Sequence, residues 1–329
     1  METMMKQVEY TAGGAENLSI ANAEKPTPKN GEILIEVAYA GVNGPDLVQR
    51  RGHYPPPPDA SPILGLEVSG HVAALGEGVS EWRLGDAVTA LVPGGGYAEY
   101  CTTPASHALP IPTNMSLADA AGLPETWFTA WTNLVDMGHI KAGDHVLVHG
   151  GAGGIGIAAI QIARHVGAHI FATESTEEKV AFCRDIGAHV AINGRAQDFA
   201  DVIKGETGKR GLDIVLDILG GATLPKSLNL LRREGRLLII AFNLGSKIEL
   251  DLMPVLTRRL TLAGSTLRAR SDQERTAIRD ALLKHLWPAF AIGTLKTHTH
   301  AVLPLAEVAD AHRLMESGSH SGKIILQVR

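Results

Sequence analysis

Glycines at positions 151, 153 and 156 stand at G-x-G-x-x-G spacing within the run Gly150-Gly151-Ala152-Gly153-Gly154-Ile155-Gly156. The chemistry this spacing serves is the holding of a pyrophosphate. The first glycine permits a sharp turn, the second lets backbone N–H groups approach the phosphates, and the third lets a helix pack closely on a strand. The phosphates would sit at the N-terminus of that helix, where unpaired N–H groups and the dipole favour negative charge. The flanking residues agree. Residues 144–149 (DHVLVH) form an apolar run of strand length. Ile155, Ala158, Ala159, Ile162, Ala163 and Val166 then recur at helical spacing, and 168–173 (AHIFAT) returns to strand character. Glu174 lies 23 positions beyond Gly151, where dinucleotide sites carry an acid for the ribose hydroxyls. Backbone at Gly151, Ala152, Gly153, Gly154 and Ile155 is therefore expected to bind a dinucleotide rather than to form an ordinary glycine-rich turn.

The elements around that unit set the architecture. A chain of 329 residues exceeds the size at which one core keeps growing, so two domains are expected. Short strand-like segments fill the first ~125 residues: 17–21, 32–40 (EILIEVAYA), 68–75 and 87–92, separated by glycine and proline turns. They predict an all-β, barrel-like domain. From Leu117 helix and strand alternate: a helix over 117–138, the unit above, a helix over 176–186, and strands at 189–192, 213–217, 236–242 and 260–265. Alternation of this kind predicts a doubly wound parallel sheet with helices on both faces. A helix over 271–291, a strand at 295–302, a helix over 305–316 and a strand at 323–328 complete the chain.

Composition narrows the function classes. Hydrophobic residues at 45% and charged residues at 20% describe an ordinary globular protein, and the net charge of −5 offers no basic stripe for nucleic acid. Two cysteines, Cys101 and Cys183, are too few for a disulfide framework, which points to a reducing cytoplasm. No secretory leader and no membrane span is expected, since no run approaches ~20 apolar residues.

Together, GVNGPDL at 41–47, RRGHYPPPP at 50–58, ILGLEVSGHV at 63–72, VHGGAGGIG at 148–156 and SGKIILQV at 321–328 resemble the medium-chain dehydrogenase/reductase superfamily. The resemblance runs almost end to end. It is to the zinc-independent, zeta-crystallin-like quinone oxidoreductase branch, and within that to the tumour-suppressor-induced quinone oxidoreductase subgroup. It implies a Rossmann domain at 125–292 and a GroES-like β-barrel domain at 1–124 completed by 293–329. Zinc-dependent members have a cysteine where Asn43 stands and Gly-His-Glu where Gly65-Leu66-Glu67 stands. Asparagine and leucine do not replace a thiolate and an imidazole as zinc ligands, so no metal is expected. His298 and His300 share one face of a strand and are read as a surface pair.

The resemblance also implies site residues. Asn43 and Tyr54 match residues beside the nicotinamide, with Asp46 close by, and these three are the catalytic candidates. Tyr54 could donate to a quinone oxygen as charge develops, or could be an aromatic wedge before Pro55 to Pro58. Asn43 and Asp46 have alternative readings as a turn cap and a capping carboxylate. Thr129 matches a threonine that approaches the nicotinamide. Phe242 and Asn243, then Leu267 and Arg268, match segments that meet the carboxamide and border the pocket. For the adenosine end, Ser175, Lys179, Asn193 and Arg195 fit an NADPH pattern, while Glu174 and Gly194 depart from it. NADPH is the expected cofactor, with NADH as the alternative. The expected activity is reduction of a quinone; the alternatives are an enoyl or alkenal reductase acting on a conjugated carbonyl, and a cofactor-binding scaffold. A homodimer paired through residues 260–266 is expected.

Overall fold

The computed structural model describes residues 4–329, which divide into two compact units: the chain through Phe128 with Arg268–Arg329, and Thr129–Leu267. The first unit contributes β1 (Met4–Tyr10), β2 (Leu18–Glu24), β3 (Glu32–Val42), β4 (Glu67–Leu75), β5 (Ala87–Leu91), β6 (Tyr100–Pro104) and β7 (Ala108–Pro110). The second contributes β8 (His145–His149), β9 (His169–Glu174), β10 (Val190–Asn193), β11 (Leu212–Asp217), β12 (Leu231–Ile239) and β13 (Thr261–Gly264). The chain then returns to the first unit with β14 (Thr299–Pro304) and β15 (Lys323–Gln327).

β1 and β2 form a two-stranded antiparallel sheet. In the first unit's larger sheet the order is β14-β15-β3-β4-β5-β7, with β6 also pairing β3. The long β3 is its hub, because Ile33, Leu34, Ile35 and Val37 are all buried and their neighbours accept strands on both sides. The core beneath it gathers Val68, Val72, Val88, Tyr97, Leu305, Ile324 and Leu326. A helix, Gly44–Arg50, interrupts this otherwise β-rich region; Pro45 in its first turn and the Asp46 carboxylate, accepting from Asn43 N at 2.9 Å, start it.

The second unit is the expected doubly wound sheet. Its six strands are all parallel, in the order β10-β9-β8-β11-β12-β13, so the chain winds outward from β8 in both directions. That order puts the carboxyl ends of β8 and β11 at the point where winding reverses, which is where ligands of such sheets bind.

Several expected elements differ in detail. The helix expected over 117–138 is Leu117–Ala120, Pro124–Trp131 and a wider π-helical turn at Thr132–Met137. Pro124 supplies no N–H to continue the earlier turn. In the π turn, Gly138 N reaches Asn133 O at 2.7 Å while Asn133 Nδ2 donates to Thr129 O at 2.9 Å. The helix expected over 271–291 is Asp272–His285 followed by Trp287–Ala291, broken at Pro288 for the same reason. Return to the first unit comes at Arg268 rather than 293. The Asp272–His285 helix is fastened there, with Thr276 Oγ1 donating to Ser106 Oγ at 2.9 Å and Trp287 Nε1 to Pro110 O at 2.9 Å. Helices Phe199–Thr207, Thr223–Leu230 and Met253–Arg258 complete the second unit.

Candidate functional site

In the second unit β8 runs straight into the glycine turn. The left-handed residue there is Gly150, at φ 70°, so the sharp bend falls one position before the first glycine of the motif. Gly150 N and Gly151 N both donate to Thr173 O, at 3.0 and 3.3 Å, tying the turn to β9. The remaining glycines separate by what a methyl group would meet. At Gly156 it would lie 2.2 Å from Gly150 O, and at Gly151 it would press on Cys183 Sγ, Ala172 Cβ and Ile160 Cδ1 at 2.8–3.1 Å. At Gly153 it would meet only Gly150 O, at 3.5 Å. Gly156 and Gly151 thus serve close packing, while Gly153 leaves the side open from which a phosphate approaches. Gly153 is also the N-cap of the helix Gly154–Val166 and provides no side chain to occupy its first N–H groups.

Glu174 ends β9 beside this turn. Its Oε1 accepts from Ala152 N at 2.8 Å and its Oε2 from Ser175 N at 3.1 Å, so the carboxylate is held by the loop itself. Asn193 is its register partner on β10. The Asn193 amide is engaged locally, donating to Glu177 Oε1 at 2.7 Å and accepting from Arg195 N at 3.1 Å. Lys179 N donates to Thr176 Oγ1 at 3.3 Å, which caps the helix Glu177–Asp185. Past the end of β12, Phe242 is 49% exposed and Asn243 N donates to Ile218 O at 3.0 Å. After β13, Ser265 Oγ donates to Asn133 Oδ1 at 3.0 Å, and Asn133 in turn holds the Thr129 carbonyl. Leu267 is buried.

In the first unit the sequence candidates Asn43 and Asp46 are buried and take different parts. Asp46 has no exposed surface, and its carboxylate accepts from Asn43 N at 2.9 Å, Gly65 N at 3.0 Å and Tyr97 Oη at 3.1 Å. Burial raises its pKa to about 6 against those bonds. The capping reading accounts for the bond from Asn43 N, while those from Gly65 N and Tyr97 Oη tie the carboxylate to the strand-leading segment and to the core. Asn43 Nδ2 donates to Glu67 Oε1 at 2.9 Å, and its Oδ1 accepts from Lys323 Nζ at 2.6 Å. Lys323 Nζ also lies 2.6 Å from Glu67 Oε1 and donates to Val42 O at 3.0 Å. Glu67 Oε2 accepts from Glu125 N at 2.9 Å.

Asn43 stands where the resemblance puts a zinc-ligating cysteine and Leu66 where it puts a histidine, and the chemistry of these residues does not suit zinc. An amide and an aliphatic side chain do not replace a thiolate and an imidazole, and the Lys323 ammonium already lies within hydrogen-bond reach of Asn43 and Glu67. Among the described residues no group of three or more His, Cys, Asp or Glu is placed to hold a metal ion, the His298 region included.

Tyr54 is half-buried, with the Arg268 guanidinium 5.5 Å from its ring centre. Burial and then the Glu125 charge raise its pKa above the ordinary value. Arg268, expected at the cofactor, is tied within the first unit: Nη1 donates to Gln49 Oε1 at 2.6 Å, and Nε and Nη2 donate to Pro93 O at 3.0 and 2.8 Å. Glu125 is 9% exposed, and burial followed by the Glu67 and Asp46 charges lifts its pKa to about 8. Sequence reasoning assigned no role to Glu125, Lys323 or Tyr97. A signal was present for one of them, Lys323, since a charge opening the apolar strand KIIL requires a partner once buried.

Comparison with known proteins agrees with both halves. Residues 29–113 match the family described as alcohol dehydrogenase GroES-like domain, and residues 154–282 that described as zinc-binding dehydrogenase. The chain is similar to the quinone oxidoreductase of Homo sapiens, 34% identical over 322 residues that cover 96% of this chain and 95% of the relative. It is also 36% identical to a mycocerosic acid synthase-like polyketide synthase of Mycobacterium tuberculosis over 319 residues, and spans 97% of its own length but only 15% of that protein's. Among solved structures, CurK enoyl reductase matches with a TM-score of 0.88 at 31% identity over 100% of both chains. A mycobacterial protein complexed with NADPH matches at 0.87 and 30%, covering 99% of this chain and 100% of the other.

Proposed function

The chain belongs to the medium-chain dehydrogenase/reductase superfamily, in its quinone oxidoreductase branch, and on that premise we propose that it is a zinc-independent NAD(P)H:quinone oxidoreductase. The observation that carries this reading is the Lys323 ammonium within 2.6 Å of both Asn43 Oδ1 and Glu67 Oε1. A catalytic metal polarises a carbonyl as a Lewis acid. An ammonium held by a carboxylate, an amide and a main-chain carbonyl inside the fold offers no such open position. The acceptor must then be one that takes hydride without that help, and a quinone is electron-poor enough to do so. Bound nicotinamide cofactor supplies the hydride, while the protein binds and orients it and keeps water away.

For the cofactor, the glycine turn and the uncapped helix start support a pyrophosphate. NADPH is favoured by Ser175, Lys179 and Arg195, and by the NADPH bound to the similar mycobacterial protein. Glu174, fixed beside Ala152, opposes a 2′-phosphate and favours NADH. A homodimer through β13 is part of the reading, since β13 ends the sheet and the segment before it exposes Leu252, Met253 and Leu256. A second reading, reduction of the double bond conjugated to an enoyl or alkenal carbonyl, is favoured by the similarity to CurK enoyl reductase.

Steady-state oxidation of NADPH and of NADH, each with 1,2-naphthoquinone and with a 2-enal, tests these readings. Turnover is expected to be fastest with the quinone. Faster turnover with the enal would establish the second reading, and oxidation of neither cofactor would refute both.

A further inference from the structure

His149 closes β8 immediately before the glycine turn, yet the G-x-G-x-x-G spacing gives it no part. Only 1% of it is exposed, and both ring nitrogens are engaged: Nδ1 lies 2.7 Å from Thr173 Oγ1 and Nε2 lies 2.9 Å from Ser227 Oγ. Thr173 is its register partner on β9, and the fully buried Ser227 comes from the helix Thr223–Leu230. Phe199 stands edge-on to the imidazole, with ring centres 5.0 Å apart and planes at 90°, so the ring plane is fixed as well. Burial lowers the imidazole's pKa to about 4 against the attraction of Asp217, which leaves the ring uncharged at neutral pH. An uncharged imidazole donates from one nitrogen and accepts at the other; a hydroxyl can answer either, so both bonds hold in either tautomer.

Thr173 carries the consequence to the turn. Its carbonyl accepts from Gly150 N at 3.0 Å and from Gly151 N at 3.3 Å, the two bonds that fix where the glycine turn leaves the sheet. One residue thus bonds His149 through its side chain and the next two residues through its main chain. Resting on the reading above, in which this turn binds the cofactor's pyrophosphate, we propose that His149 is a positioning residue for the dinucleotide and acts through Thr173. The chain from Ser227 through His149 to Thr173 ties a helix and two strands of the second unit together at the base of the turn. With Thr173 held, the N–H groups at the start of the helix Gly154–Val166 are already in place, and less ordering remains to be done when phosphates bind.

Calorimetric titration with NADPH, NADH and ADP-ribose tests this, with melting of the cofactor-free protein as the control for folding. Asparagine carries its amide near the place of Nδ1 and glutamine near that of Nε2, so His149→Asn keeps the bond to Thr173 whereas His149→Gln keeps only that to Ser227. His149→Gln should bind the preferred cofactor about tenfold more weakly, and so should Thr173→Val, which removes the hydroxyl and keeps the branched shape. His149→Asn should bind as wild type does. ADP-ribose should lose the same factor as the whole cofactor, because the effect lies at the phosphates and not at the nicotinamide. Thr173→Val with wild-type affinity, or His149→Asn as weak as His149→Gln, would overturn the proposal alone. A wild type that binds neither NADPH nor NADH would overturn the cofactor reading and the proposal with it. The expected losses, measured on a wild type that binds cofactor but reduces neither quinone nor enal, would support the proposal and overturn the functional reading.

Discussion

Lys323 and Glu67 are each nearly inaccessible to solvent, and each is stable in the fold only because of the other. Attraction between two such charges roughly offsets the desolvation of both, so removing one leaves an uncompensated charge inside the protein. Lys323→Met should therefore destabilise by about 3–5 kcal/mol in urea unfolding, and adding Glu67→Gln should recover much of that loss. A Lys323→Met variant as stable as wild type would show that Glu67 already has enough donors in Asn43 and the Glu125 amide. The partners in this cluster could not be paired from sequence. Asn43 and Lys323 are 280 residues apart, one just past the end of β3 and the other on β15, and their adjacency is decided by the way the chain returns to β3. Asn43, Asp46 and Tyr54 were grouped in the sequence through the family resemblance; of the three, Asn43 and Asp46 are joined by a hydrogen bond from Asn43 N. The sequence did not separate a capping carboxylate, Asp46, from an unpaired one, Glu125, since that difference lies in which donors surround each.

At the scale of the element, the glycine turn was the most legible part, because strand, turn and helix are contiguous and Gly151 and Gly156 each answer a local steric demand. Its three motif glycines should respond differently to the same methyl group. Gly156→Ala sets a Cβ against the Gly150 carbonyl, which cannot swing away as a side chain can; a loss of about 1–3 kcal/mol of stability is expected, with no thermal stabilisation by NADPH. Gly153→Ala meets only an ordinary contact and should melt like wild type, yet bind cofactor about tenfold more weakly. Melting curves with and without NADPH distinguish the two, and unimpaired cofactor binding by Gly153→Ala would remove the phosphate from that side of the turn. Helix lengths were less legible, since apolar periodicity runs through Pro124 and Pro288 while the backbone does not.

Across the whole molecule, buried titratable groups oppose one another in pH dependence. His107, His149 and His312 are buried and held neutral, with pKa values lowered by burial to about 4, 4 and 3. The unfolded chain binds their protons below about 6.5, so stability falls as pH drops from there towards 4. Glu125 and Asp46, raised to about 8 and 6, act in the other direction, because the folded state keeps protons that the unfolded state has released. Between pH 4.5 and 6.5 the three histidines outweigh the two acids; between 6.5 and 8 Glu125 acts almost alone. Unfolding free energies from urea titrations should therefore peak near pH 6.5 and decline by about 2 kcal/mol towards pH 8. A steady rise through pH 8 would contradict the assignment of Glu125 as a buried acid.

The claim on which the rest depends is the proposal that hydride is delivered without a metal, with the Lys323 ammonium bonded to Asn43, where the resemblance puts a ligating cysteine. The direct measurement is oxidation of NADPH by 1,2-naphthoquinone before and after exhaustive chelation, followed by titration with zinc. Equal rates in all three states are expected. Activity lost on chelation and restored by zinc would contradict the account.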